Sequence, residues 1–207
     1  MTSFDILTIV FVFLPAVVLH EYAHGWVAYR LGDPTAKQLG RLSLNPLKHI
    51  DPVGSVLFPV VLHLVGSPVL LGWAKPVPVN FMNLRNPRRH MVWVGLAGPA
   101  INMLMAVSLS LFLRLALPPI ILQLITGAVF INLVLAVFNL IPIPPLDGSR
   151  LVMGFLPPKY AHFFGKLEGY GMVLVFVLLY FGFLREVIWP VVRSLASLLG
   201  VDVSSML

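Results

Sequence analysis

Residues 20–24 read His20-Glu21-Tyr22-Ala23-His24. On a helix, positions i and i+4 share a face. Two imidazoles so placed can grip one zinc ion at about 2.0–2.1 Å each. Glu21 lies ~100° round the helix from His20, beside such an ion and not on it. A carboxylate there is placed to take a proton from water activated by the metal, which is the division of labour in H-E-x-x-H hydrolysis. The pentapeptide recurs by chance in soluble helices. Here it sits in "VVLHEYAHGWVAY" (17–29), inside an apolar run. Ionisable side chains in lipid cost a few kcal/mol each and default to function, so a metal site outranks a structural polar patch.

Two histidines do not complete a catalytic zinc site, which normally has three protein ligands and an open position. The chain has no cysteine and eight acids. Asp5, Asp33 and Asp51 occupy terminal or loop positions, and Glu168, Glu186 and Asp202 lie near the C-terminal segments. Asp147 stands in "NLIPIPPLDGSR" (139–150), just after Pro142, Pro144 and Pro145 break an apolar segment. Broken backbone at membrane depth is tolerated where it packs on protein or lines a wet cavity. Spacing alone leaves Asp147 equally readable as an Asp-Gly turn tip or as a third ligand. The elements that carry it must decide.

Those elements are membrane segments. The 207 residues are 58% hydrophobic and 11% charged, against about 25% charged in soluble domains. The net charge of +6 fits basic loops on a cytoplasmic face, and no basic, aromatic-interleaved patch suggests nucleic acid. The acidic opening "MTSFD" is not that of a cleavable signal. Apolar segments run over about 4–31, 53–73, 91–117, 120–141 and 169–184, with a short sixth at 187–201. The segment 53–73 contains Gly54, Pro59, Gly66, Pro68 and Gly72, a composition suited to a broken or dipping path. Lys37, Arg41 and Lys48 precede it, and Lys75, Arg85, Arg88 and Arg89 follow it. Re-entry puts both basic loops on one side, as the positive-inside rule asks. The first and fourth segments then run in the same direction, and Asp147 arrives at the depth of His20 and His24. A full crossing would carry it far away.

At this point the chain resembles the site-2 protease family of intramembrane zinc metalloproteases. "HEYAH" matches its H-E-x-x-H, and "NLIPIPPLDG" is similar to its N-x-x-P-x-P-x-L-D-G. "GLAGPAINM" (95–103) is similar to its G-P-x-x-N, and "GWAKPVPVN" (72–80) to a segment of its compact bacterial branch without PDZ or CBS domains. The resemblance implies an all-α polytopic membrane protein of one domain over 1–207. Its three-helix catalytic core would lie at about 4–31, 91–117 and 120–141, with a re-entrant, strand-bearing segment at 53–73 and C-terminal helices within 169–201. It implies one Zn²⁺ per chain held by His20, His24 and Asp147, with Glu21 as base. Asn102 and Asn139 match family positions linked to the active site or substrate.

Asn102 in an apolar helix reads equally as an interhelical hydrogen bond or as a group that holds substrate or an oxyanion. Pro142, Pro144 and Pro145, with the re-entrant segment, could leave edge backbone free for an extended substrate. His63 reads as a polar residue facing protein. The expected partners are a transmembrane protein substrate and the bilayer, in a prokaryotic cell membrane with the site toward the cytoplasm. The competing class is a non-catalytic metal-binding membrane protein or a metal carrier. Retention of Glu21 counts against the first, and the gathering of ionisable groups at one depth counts against the second.

Overall fold

The structure, a computed structural model, describes residues 9–64 and 72–203. Helix α1 (Leu14–Arg30) follows a π-helical turn, Ile9–Phe13. Its 17 residues span ~26 Å, short of a ~30 Å hydrocarbon core, and the π turn extends it. Residues 4–8 of the expected segment lie outside the described ones. Helix α3 (Pro87–Phe112) and helix α4 (Pro119–Asn139) are each long and apolar enough to cross a membrane, with mean hydropathies of 1.7 and 2.5. Both begin with proline in the first turn, where the missing N–H has no helical partner to lose. The Asn86 side chain also accepts from Arg89 N–H to cap α3. Helix α4 ends at Asn139, where "LIPIPP" withdraws donors from the ladder.

Beyond α4, helix α5 (Gly148–Phe155), α6 (Pro158–Lys166) and α7 (Glu168–Tyr180) follow in close succession. The α6–α7 pair is apolar enough to make a third crossing but is bent by 61°. Gly182, at φ 84, turns the chain into a π turn and helix α8 (Trp189–Leu198). α3, α4 and α8 share the main core, with Ala106, Val129, Leu133, Ile188 and Val192 almost wholly buried. Lipid offers no hydrophobic drive between helices, so small residues and polar links must draw them together. α1 and α3 meet through Gly98 and Asn102, as the site requires.

Between α1 and α3 lies the segment expected to re-enter. A π turn, Pro52–Leu57, capped by Asp51, leads into helix α2 (Phe58–Leu64). Residues 65–71 and the side chain of His63 lie outside the described ones. On return, Trp73 N–H donates to Gly54 O at 3.2 Å, and Lys75 N–H to His49 O at 2.8 Å. Ser55 Oγ donates to Trp73 O at 2.8 Å. The two ends of the segment are therefore joined by hydrogen bonds.

No strand occurs among the described residues, and the middle of the 53–73 segment, where one was expected, lies outside them. Residues 72–80 run extended, but Pro76 and Pro78 carry no N–H, so a continuous ladder cannot form on this stretch. This strap is fastened by side chains instead. Arg41 donates to Lys75 O and Pro76 O. At its far end, the fully buried Asp33 accepts from Asn80 N–H at 2.7 Å and Asn83 Nδ2 at 3.0 Å. Burial alone would raise the Asp33 carboxyl. The hydrogen bonds from Thr35, Asn83 and Asn80 outweigh it and hold the pKa below the ordinary value.

Candidate metal centre

α1 supplies His20 and His24, and the turn after α4 supplies Asp147. His20 Nε2 and His24 Nε2 each lie 3.1 Å from Asp147 Oδ2, and 3.1 Å from each other. Among the described residues this is the group of three potential metal ligands. A tetrahedral zinc with bonds of about 2.0–2.1 Å holds its ligand atoms ~3.3–3.4 Å apart, so the triangle is the right size.

The remaining ring nitrogens settle what the three atoms offer. His24 Nδ1 lies 2.7 Å from Val94 O, which can only accept, so Nδ1 carries the proton. His20 Nδ1 lies 2.5 Å from Asn102 Oδ1. Asn102 cannot be turned round, because its Nδ2 donates to Ala16 O at 3.3 Å and to Asn132 Oδ1 at 2.8 Å. Asn132 is fixed in turn by donating Nδ2 to Ala128 O at 2.8 Å. With Nδ1 of both rings turned to oxygen acceptors, Nε2 of both faces the Asp147 carboxylate and is the atom left to ligate a metal. The three potential ligand atoms converge at 3.1 Å, close enough to share one cation. The donor set fits zinc, and ring partners of this kind are what hold histidine ligands in their tautomers.

Two local features make the convergence possible. Asp147 occupies the N-cap position of α5, where a carboxylate normally accepts from the first turn, yet it makes no cap bond. Its side chain is turned to the histidines. Gly98 faces them from α3, and a Cβ there would land on His20 Cε1 and His24 Nε2.

Glu21 stands beside the triangle, one wall of a cavity of about 320 Å³ that also includes His20, His24 and Asp147. It makes no bond to them. Its Oε2 accepts from Val77 N–H at 2.7 Å, the one donor between Pro76 and Pro78 in the strap. The strap lies directly on α1 there, with Val77 against Gly25.

Comparison with known proteins agrees with this geometry. A model of Peptidase family M50 matches residues 117–181, which contain Asp147. "Putative zinc metalloprotease YwhC" of Bacillus subtilis is 36% identical over 197 residues, covering 90% of this chain and 86% of that protein. This chain belongs to peptidase family M50. A second M50 relative, "Putative zinc metalloprotease Rip2" of Mycolicibacterium smegmatis, is 32% identical over 80% of this chain and 64% of its own length. "Zinc metalloprotease MJ0392" of Methanocaldococcus jannaschii is 26% identical over 92% of the chain and 47% of its own length. No solved structure is a significant match. M50 is the site-2 protease family whose motifs the sequence carries.

The other residues singled out in this M50 chain are distributed unevenly. Asn139 lines the cavity, with Nδ2 bonded to Leu135 O at 2.9 Å. Asn102 does not line it: it is fully buried, and its carboxamide is committed to His20, Ala16 and Asn132. Of its two sequence readings, the structure places it in the interhelical one, with the added task of orienting His20. Pro142 is exposed and Pro144 is buried beneath α7, where Gly171 abuts its carbonyl. Neither lines the cavity, whereas Pro145 does. The sequence reading missed Asn132, the Val94 carbonyl, the Val77 N–H, Arg150 and Glu168. Asn132 alone carried a signal, a polar residue in an otherwise apolar helix.

Proposed function

We propose that this protein is an intramembrane zinc endopeptidase that cuts peptide bonds in or near transmembrane segments of other membrane proteins. One observation carries the reading: three lone-pair donors converge to zinc spacing beside an uncoordinated glutamate, in a cavity walled by helices of a membrane protein. His20, His24 and Asp147 would hold one zinc per chain, and zinc supplies a Lewis acid that polarises a carbonyl and acidifies water.

The rest of the work falls to side chains. Asn102, Asn132 and Val94 keep both imidazoles in the tautomer that ligates. Val77 N–H donates to one oxygen of Glu21 and fixes its aim. Glu21 takes the proton of the attacking water and returns it to the leaving amine nitrogen. Helical amides are shielded, so the substrate must be locally extended before it reaches the cavity. Gathering of the metal-binding side chains into a single cluster speaks against a carrier, which needs ionisable groups strung along a path.

Membrane placement belongs to the same proposal. The chain is multi-pass, the joined ends of 53–73 dip into and leave one face, and the basic loops put that face and the site toward the cytoplasm.

The test is Glu21→Gln. This variant retains size and hydrogen-bonding capacity but cannot accept the proton. Zinc content and helicity should match wild type, with cleavage of a membrane-protein substrate down by at least ~10²-fold. Undiminished cleavage by pure variant would remove Glu21 from the mechanism, and loss of zinc would make it a ligand.

A further inference from the structure

Within the cavity, Arg150 is the one lining residue with a permanent positive charge; the acids that share the wall are Glu21, Asp147 and Glu168. Arg150 sits one turn after Asp147 on α5, its N–H bonded to Asp147 O at 2.9 Å. Its Nη2 donates to Glu168 Oε1 at 2.6 Å, across from α5 to the first residue of α7. Its guanidinium also lies 5.1 Å from the centre of the Phe81 ring, at the end of the strap.

The partners are held unequally. The Arg150 side chain is 20% exposed and that of Glu168 45%. Phe81 and the α3 backbone at Gly95 pack on Arg150, while Glu168 is the outer partner. The ion pair uses one N–H of a guanidinium that offers five in a fork matched to carboxylates. A peptide that reaches Asp147 must share the cavity with this pair. Pushing Glu168 aside would leave a half-buried charge uncompensated, since arginine cannot release its proton. The penalty vanishes if the peptide brings its own carboxylate.

We propose that Arg150 is a specificity-determining residue that selects substrates carrying a carboxylate near the bond to be cut, exchanging Glu168 for the substrate's acid. Arg150 follows Asp147 by three residues on α5 and lines the same cavity. An extended peptide advances ~3.3 Å per residue, so a cavity that holds both places the acid within a few residues of the scissile bond. The proposal rests on the endopeptidase reading for the cut itself, but the recognition can be measured without it.

The experiment uses the full chain, zinc-loaded, in detergent micelles. Labelled apolar peptides carry Asp, Asn or Lys scanned along the sequence. Binding is read by anisotropy on Glu21→Gln protein, and kcat/KM on wild type. At one position, Asp should be preferred over Asn by about tenfold or more, the scale of a charge-assisted hydrogen bond. Arg150→Gln should abolish that preference. The swap Arg150→Glu with Glu168→Arg keeps the link between α5 and α7 and should transfer the preference to Lys. Equal binding of Asp, Asn and Lys peptides by the Glu21→Gln protein would overturn the proposal. So would a swap variant that keeps its zinc and still prefers Asp, since the pair would then be a brace and nothing more. An Arg150-dependent Asp preference in binding, without cleavage by wild type, would uphold the recognition and refute the endopeptidase.

Discussion

Gly98→Ala is the sharpest probe of the metal centre, because it adds one methyl where α3 crosses α1. The new Cβ would lie on His20 Cε1 and His24 Nε2, well inside the ~3.5–4.0 Å of an ordinary contact. Relief needs a movement of about 1 Å, whereas zinc–ligand distances tolerate ~0.2 Å. The rings cannot yield alone. His20 is tied to Asn102 at 2.5 Å and His24 to Val94 O at 2.7 Å, and both partners lie on α3. Moving α3 outward stretches those same bonds beyond hydrogen-bond length. The expected cost is at least ~10²-fold in zinc affinity, with ~1–3 kcal/mol of overpacking. The assay is zinc retention against graded chelators, beside thermal unfolding in detergent. Gly127→Ala in α4 is the control, since a Cβ there meets nothing within 4 Å. It should leave zinc untouched and stabilise the helix by ~0.5–1 kcal/mol. Wild-type zinc affinity in Gly98→Ala would refute the described approach of α3 to the histidines.

Asn102→Leu should free the His20 ring and lower zinc affinity ~10–100-fold, measured with the same chelators; unchanged affinity would dismiss the relay through Asn132. Asp33 has a folded pKa below its unfolded one, so its contribution to stability is present above the ordinary carboxyl range and lost as pH falls through the folded value. Wild type should accordingly lose more stability than Asp33→Asn as pH falls through and below the ordinary carboxyl range in denaturant titrations, and parallel curves would contradict this. Single cysteines at Lys48 and Arg85, in a chain with no cysteine of its own, should both react with an impermeant thiol reagent from one side of a vesicle. Reaction from opposite sides would mean that 53–73 crosses.

The parts of the site that were legible in the sequence are those fixed by periodicity or by charge. His20 and His24 share a face because a helix repeats every 3.6 residues. Asp147 could be brought to them because the basic loops constrain direction. The supporting parts were hidden for definite reasons. Val94 acts through its carbonyl and Val77 through its N–H, groups that every residue but proline possesses, so side-chain identity cannot flag them. Asn132 finds Asn102 across two helices, a match of rotation and depth that no linear spacing encodes. Pro142 and Pro144 were read as open backbone, whereas the fold exposes one and buries the other under α7.

Asp147 lies 123 residues beyond His24, and that interval has a temporal meaning. A chain made at ~5–20 residues per second displays the two histidines roughly 6–25 s before the third donor exists. During that time α3 and α4, with the Asn102 and Asn132 that aim the rings, are still being synthesised and laid into the bilayer. The nascent chain therefore passes through the insertion machinery with a pair of loosely oriented imidazoles and an idle glutamate. The metal-binding set is complete only in one late step, when the turn carrying Asp147 closes on walls already built.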